Sequence, residues 1–218
     1  MFMTRLELDR SRRETQMALA SPNRLHGAIE SGFPGERQRR LWRLDELQGR
    51  LFLLLVSDEA PDLSAVRAQF SPPGATWETR DYGAFLERIG NGSKWRFRLG
   101  ANPTISAPRA EAQRGKILAH VTAAQQKQWL LDRAEKHGFR LTEESFEVVK
   151  RGFLSFAKGK ERRKVTLGIC TFEGSLEVTD ADRFREALTR GVGRGKAYGL
   201  GLMTVAGASV TKGEHAHE

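Results

Sequence analysis

One cysteine, two tyrosines and seven prolines are all that this chain of 218 residues holds of those types. A single thiol, Cys170, cannot close an intramolecular disulfide or build a thiolate cluster, so a disulfide scaffold and a cysteine-based zinc module are both excluded. It lies in the strand-like stretch VTLGICTF, is expected in the core, and fits a reducing compartment. Long hydrophobic runs are missing too. The longest aliphatic stretch, Leu51 to Val56, is too short to cross a bilayer, and MFMTRLELDRSRR lacks the apolar centre of a signal peptide. These absences predict a soluble cytoplasmic protein with no membrane partner. Acidic residues are in deficit: 27 Asp and Glu face 36 Lys and Arg, giving a formal charge of +9 and a pI near 10.1. That balance calls for a polyanionic partner, nucleic acid first and an anionic membrane surface second.

Nucleotide-binding loops are absent in their usual forms. LTRGVGRGKAYGLGLMTV has five glycines in eleven positions, Gly191, Gly193, Gly195, Gly199 and Gly201, with Arg194 and Lys196 among them. A P-loop would need a glycine where Arg190 stands and Ser or Thr where Ala197 stands; a dinucleotide fingerprint would need its third glycine where Lys196 stands. The order is also inverted, since DADRFREALTR before the loop reads as a helix and LGLMTV after it as a strand. A helix cap and tight turn use one or two glycines; five with two cations also fit close approach of the backbone to an anion.

The elements present follow a repeated plan. MFMTRLELD alternates as a strand, and RSRRETQMALASP reads as an irregular polar loop. SPNRLHGAIESGF reads as a short helix, with Leu25, Ile29 and Phe33 at spacing four, Ser21 as N-cap and Pro22 in its first turn. LWRLDE and GRLFLLLVSD are strands joined by a turn at Gln48-Gly49, DLSAVRAQF is a helix and TWETRDY an edge strand. This β-α-β-β-α-β order predicts a ferredoxin-like domain over residues 1–90. KWRFRLGANPTIS begins a second such outline as a strand ending at Asn102-Pro103, with Trp95 and Phe97 inward and Lys94, Arg96 and Arg98 on the other face. SAPRAEAQRGK reads as a polar loop, and TAAQQKQWLLDRAEKHG as a helix with Trp129, Leu130 and Ala134 inward and Gly138 past its end. Two strands, FRLTEESFEVVKRGFLSF and RRKVTLGICTFEGSLEVTD, then the DADRFREALTR helix, the glycine loop and the LGLMTV strand complete it. The fold class is therefore α+β, two tandem ferredoxin-like (RRM-like) domains over residues 1–90 and 94–210, with a basic β-hairpin, a C-terminal glycine-rich loop and a disordered tail over 211–218.

Positive charge clusters. Lys150, Arg151, Lys158, Lys160, Arg162, Arg163 and Lys164 fall within fifteen positions, with Glu161 the sole acid. AKGKERRK reads as a hairpin tip; such a run is a solvated loop or, on a two-stranded ribbon, a phosphate-pairing surface that engages a nucleic-acid groove. A second patch is ERQRRLWR, with Arg37, Arg39, Arg40 and Arg43. Of the five histidines, His215 and His217 are in the tail, His137 ends a helix where a cation is favourable, and His120 has no acid nearby in sequence. His26, one turn into a short helix beside Asn23, Arg24 and the downstream arginines, is the candidate for proton transfer.

The landmarks NRLHGAIESGFP, FRLGANPT, TFEGSLEVTD and GVGRGKAYGLGLM, spread along nearly the whole chain, resemble the CasE family of CRISPR-associated endoribonucleases, the crRNA-processing subunits of type I-E Cascade. The resemblance implies two tandem ferredoxin-like domains and metal-independent cleavage at the base of a repeat stem-loop, with no cofactor. The RNA's own 2′-OH would attack, leaving a 2′,3′-cyclic phosphate and a 5′-OH. It implies His26 as catalytic residue and a glycine loop packed between the domains against RNA backbone. Many members carry tyrosine where this chain has Asn23, which can orient a hydroxyl or phosphate but is a poor proton donor. Arg24 and Arg37, or Lys158 and Lys160 from the other domain, are the candidates to stabilise the transition state. The implied RNA contacts are these four with Arg162, Arg163 and Lys164 of the hairpin, and Gly191, Gly193, Arg194, Gly195, Lys196, Gly199 and Gly201 of the loop. The implied partners are the repeat hairpin, the mature crRNA and other Cascade subunits, with a monomer outside the complex. The alternative is a non-catalytic RNA-binding subunit of the same fold. A DNA-binding protein is weaker, since helix-turn-helix and zinc-finger patterns are absent.

Overall fold

The computed structural model describes residues 1–35, 38, 40–107, 116–159 and 163–207. The first sheet is built from β1 (Phe2–Leu8), followed by helices α1 (Arg13–Ala20) and α2 (Asn23–Ser31), β2 (Leu41–Leu47), β3 (Arg50–Ser57), α3 (Ser64–Phe70) and β4 (Trp77–Asp81). Its strand order is β2-β3-β1-β4, antiparallel throughout, which is the ferredoxin-like arrangement with β4 on the edge. Strand alternation sets the faces: Leu6, Leu8, Leu53 and Leu55 meet Leu25, Ile29 and Phe33 of the α2 segment and Val66 and Phe70 of α3 in one core. Gln48 and Gly49 both have positive φ, 51° and 76°, as a two-residue hairpin turn requires.

Two local expectations change. RETQMALA, read as loop, is helix α1. Its inward stripe is Thr15 and Ala18, with the Thr15 hydroxyl donating to the Phe70 carbonyl at 3.1 Å, so it carries almost no hydrophobic signal. Helix α2 begins at Asn23, with Pro22 rather than Ser21 in the capping position. The Ser21 hydroxyl donates instead to Asn23 Oδ1 at 2.6 Å, while the Ser21 carbonyl accepts the Arg24 N–H.

The short helix α4 (Gly83–Leu86) leads into β5 (Lys94–Ala101), β6 (Thr104–Ala107), β7 (Lys116–Ala119), α5 (Ala123–Ala134), β8 (Phe139–Arg140), β9 (Phe146–Lys158), β10 (Arg163–Val178), α6 (Ala181–Arg190) and β11 (Met203–Gly207). The second sheet runs β11-β5-β10-β8, the same permuted order, so the protein is α+β with two ferredoxin-like units in tandem. Trp95, Phe97 and Leu99 of β5 pack on Trp129, Leu130 and Ala134 of α5 and on Phe184 and Leu188 of α6, with Cys170 in the same core. Thr122 and Gln125 form a capping box at the start of α5. Gly138 ends it with φ 75°, where a Cβ would lie 2.2 Å from the Asp180 carbonyl oxygen.

The SAPRAEAQRGK segment is not loop at its two ends: β6 and β7 pair as a hairpin, and residues 108–115 lie outside the described residues. Ile105, Ile117 and Leu118 stay exposed there, so the strands have no core-facing alternation to betray them. The closing strand starts at Met203, later than LGLMTV suggests, because Leu200 to Leu202 still belong to the glycine loop's packing. The tail expectation, 211–218, lies outside the described residues. Strand β10 pairs with β5 only between Cys170 and Glu177, but with β9 out to the Lys158–Arg163 pair. The outer parts of β9 and β10 therefore extend beyond the sheet as a two-stranded ribbon.

Candidate nucleic-acid interface

The glycine loop is the joint between the two units. Its five glycines all have positive φ, from 76° to 89°. A Cβ on Gly199 would meet the Trp42 ring at 2.7 Å, on Gly191 Leu41 at 2.8 Å, and on Gly193 the Trp129 ring at 2.9 Å. Gly201 faces the Val192 carbonyl at 2.8 Å and Gly195 the Leu200 side chain at 3.0 Å. Leu41 and Trp42 belong to the first unit and Trp129 to the second, so left-handed backbone and close protein packing account for the glycines. Gly201 N–H donates to the Gly100 carbonyl at 2.6 Å and Val192 N–H to the Gly201 carbonyl at 2.8 Å, which pins the loop to β5 and to itself.

This joint brings sequence-distant candidates together. The loop's single 3-10 turn, Lys196–Tyr198, packs against α2 and β2, and the Tyr198 ring lies 4.9 Å from Phe156 of β9. The end of α1 with Pro22, the glycine loop and the root of the basic ribbon border one groove of about 280 Å³, lined by Arg10, Ala18, Pro22, Arg98, Lys150, Leu154 and Tyr198 among others, and Asn23, Arg24 and His26 do not line it. Asn23, Arg24 and His26 are carried by α2; Arg24 is exposed and Asn23 half-buried. Arg163 and Lys164 are exposed at the start of β10, and Lys158 ends β9 opposite Arg163. Arg194 is exposed and Lys196 half-buried. Arg37, Arg39, Lys160 and Arg162 lie outside the described residues.

The His26 side chain is 35% exposed, with Nδ1 3.9 Å from Glu30 Oε1 one turn along α2. Glu30 Oε2 accepts from Arg40 Nη1 at 2.9 Å, and the Arg40 guanidinium, itself buried, lies 3.8 Å over the Phe33 ring. Arg40 is therefore not part of a surface patch. Neither is Arg43: its guanidinium pairs with both Asp45 oxygens at 2.8 and 2.6 Å and donates to the Arg98 and Leu202 carbonyls and the Thr204 hydroxyl, each at 2.8 Å. A cluster of arginines in sequence reads as surface charge, but strand alternation and an acid two residues on turn this one inward. Arg98 likewise pairs with Glu173 and Asp45. Arg10, absent from the candidates because its segment reads as loop, faces the groove and pairs with Glu46 at 2.8 Å.

Burial, with Lys136, Lys196 and Arg133 around His137, holds its pKa below the ordinary histidine value. Burial pushes the Cys170 thiol up to about 12 and raises the Tyr82 phenol as well. Among the described residues no cluster of three His, Cys, Asp or Glu is placed to hold a metal ion, and no helix is long and apolar enough to cross a membrane.

A family described as CRISPR associated protein matches residues 1–207. The CRISPR-associated endoribonuclease Cse3 of Thermus thermophilus is 33% identical over 223 residues, covering 94% of this chain and all of the relative. The structure of Thermus thermophilus Cse3 bound to an RNA representing a pre-cleavage complex superposes with a TM-score of 0.76 at 30% identity, over 94% of this chain and 98% of that one. A chain of a CRISPR RNA-guided surveillance complex, pre-nicking, superposes with a TM-score of 0.69 at 25% identity, over 95% of this chain and all of that one. With a match running from the first strand through the ribbon and glycine loop to the last strand, the chain belongs to the CRISPR-associated Cse3, or CasE, family.

Proposed function

We propose that this protein is an endoribonuclease that cleaves CRISPR repeat stem-loops in precursor crRNA and keeps the mature crRNA within a Cascade complex. The observation that carries the reading is that the His26 helix packs against the glycine loop, whose Tyr198 in turn meets Phe156 of the basic ribbon, in a chain 33% identical to a Cse3 endoribonuclease. The stem would lie against the ribbon. Lys158, Lys160 and Lys164 pair with phosphates, and Arg162 or Arg163 reads a guanine edge near the stem end, where an A-form major groove is accessible. Arg24, Arg37, Arg194 and Lys196 follow the strand toward the scissile phosphate.

The reaction proposed needs no metal. The 2′-oxygen attacks phosphorus, the P–O5′ bond breaks, the 2′-OH loses a proton and the 5′-oxygen gains one. His26 carries out one of these transfers, leaving a 2′,3′-cyclic phosphate and a 5′-OH. The Asn23 carboxamide oxygen accepts from Ser21 and leaves its N–H groups to orient a phosphate or hydroxyl. The test is cleavage of a repeat RNA in excess chelator. His26→Ala should lower the rate about 10²- to 10⁴-fold with hairpin affinity retained, and a 2′-deoxy substitution at the scissile nucleotide should block cutting. A His26→Ala variant within threefold of wild type would overturn the assignment. Binding without cleavage by the wild-type protein would favour the non-catalytic RNA-binding subunit.

A further inference from the structure

We propose that Glu30, clamped by the buried Arg40, is the positioning residue for the His26 imidazole, fixing its tautomer and raising its basicity; this rests on the reading of His26 as the proton-transfer group. Glu30 and His26 are one helical turn apart on α2, the spacing at which side chains meet. His26 Nδ1 is shielded from solvent and lies 3.9 Å from Glu30 Oε1, so the ring's exposure is carried by its other atoms. A carboxylate on a flexible side chain would do little, but this one is anchored. Its second oxygen accepts from Arg40 at 2.9 Å, and Arg40 is 5% exposed and stacked on Phe33. The carboxylate cannot swing away without stranding a buried cation, which costs far more than an exposed ion pair is worth.

Among the described residues, the titratable groups on the elements that pack most against α2 are Arg13 and Glu14 of α1, Arg67 of α3, and Lys196 and Tyr198 of the glycine loop, with Arg24 on α2 itself. The Glu30 carboxylate lies within 4.0 Å of the ring. Its charge favours a proton on Nδ1 of the neutral ring, the tautomer whose Nε2 is the proton acceptor, and stabilises the imidazolium formed when Nε2 takes a proton from substrate. A carboxylate that orients a histidine through Nδ1 is a recurring solution for general-base imidazoles.

The experiment compares wild type, Glu30→Gln and the double variant Glu30→Gln/Arg40→Met by three readouts: ¹⁵N titration of His26 in the RNA-free full-length protein, the pH profile of single-turnover cleavage of a repeat stem-loop RNA, and melting temperature. Glu30→Gln should lower the His26 titration midpoint by roughly 0.5–1 unit, move the limb of the pH profile that His26 controls the same way, and slow cleavage about tenfold. The double variant removes the stranded cation and should recover the melting temperature but not the rate. An unchanged His26 midpoint in Glu30→Gln overturns the proposal alone. Recovery of both stability and rate in the double variant makes the role structural and also overturns it. Full activity of His26→Ala overturns the catalytic reading and takes the proposal with it.

Discussion

Burial, with Lys136, Lys196 and Arg133 nearby, holds His137 below the ordinary value of 6.5. Between that lowered value and 6.5 the unfolded chain binds more protons than the folded one, so this residue makes stability rise with pH across the window. The melting temperature is expected to climb as pH rises toward 6.5, and His137→Gln should flatten that part of the curve; an unchanged slope would remove His137 as its source. Cys170 is buried in the second core with its thiol pushed up to about 12. A thiol reagent at pH 8 should label it only as fast as the chain unfolds, and prompt labelling in the native state would contradict its burial. His26 stands out in the sequence as a candidate from its helix and its basic neighbours. Its link to Glu30 needed Arg40, which reads as surface charge until the fold turns it inward.

Two glycines with the same backbone sign separate conformation from contact. Gly159 at the ribbon tip has φ 75° with nothing within 4 Å of a Cβ, whereas Gly199 has φ 78° with the Trp42 ring 2.7 Å away. Gly159→Ala should cost about 1 kcal/mol for left-handed backbone alone. Gly199→Ala should cost about 2 kcal/mol or more, because the ring must move as well. Denaturant unfolding of the two variants checks this, and equal costs would show that the loop tolerates a side chain. The loop's glycine content was plain in sequence, but what the glycines abut, Leu41, Trp42 and Trp129, was not. On the ribbon, Lys164→Ala should weaken binding to every stem variant alike and reduce the salt slope of RNA affinity by about one. Loss of a base-reading arginine should instead relax preference at one base pair, at roughly 1–3 kcal/mol. If both kinds of variant bind as wild type, the ribbon is not an RNA contact.

Arg43 ties the two sheets into one body. From β2 it reaches Asp45 on its own strand, the Arg98 carbonyl on β5, and the Leu202 carbonyl and Thr204 hydroxyl at the start of β11. Arg43→Ala leaves the buried Asp45 carboxylate with the more distant Arg98 at 3.4 Å in place of its bidentate partner and takes the donor from several acceptors at once, and should cost about 3–5 kcal/mol. Part of that should return in Arg43→Met/Asp45→Asn, which removes the weakly compensated buried charge. Denaturant unfolding of both variants is the measurement; an Arg43→Ala variant as stable as wild type would show that the units hold together through the glycine loop and Leu41 and Trp42 alone. The packing of α2 on the loop and of the loop on the ribbon depends on this union, so RNA cleavage should fall with the clamp even though Arg43 itself is buried.

Periodicity is local, and it was enough for the repeated βαββαβ order, the Gln48-Gly49 turn, the α5 core face and the alternation of Trp95 and Phe97, since each depends on residues within a few positions of one another. Helix α1 escaped because it buries only Thr15 and Ala18, and the β6–β7 hairpin because it buries almost nothing. Charge in a sequence carries a sign but no direction. Arg40 and Arg43 became internal because Glu30 and Asp45 offered partners inside, one across a helix–strand junction and one along a strand. The meeting of residues near 26, 156 and 198 is a product of strand order and of packing across the joint, which no short window of sequence contains.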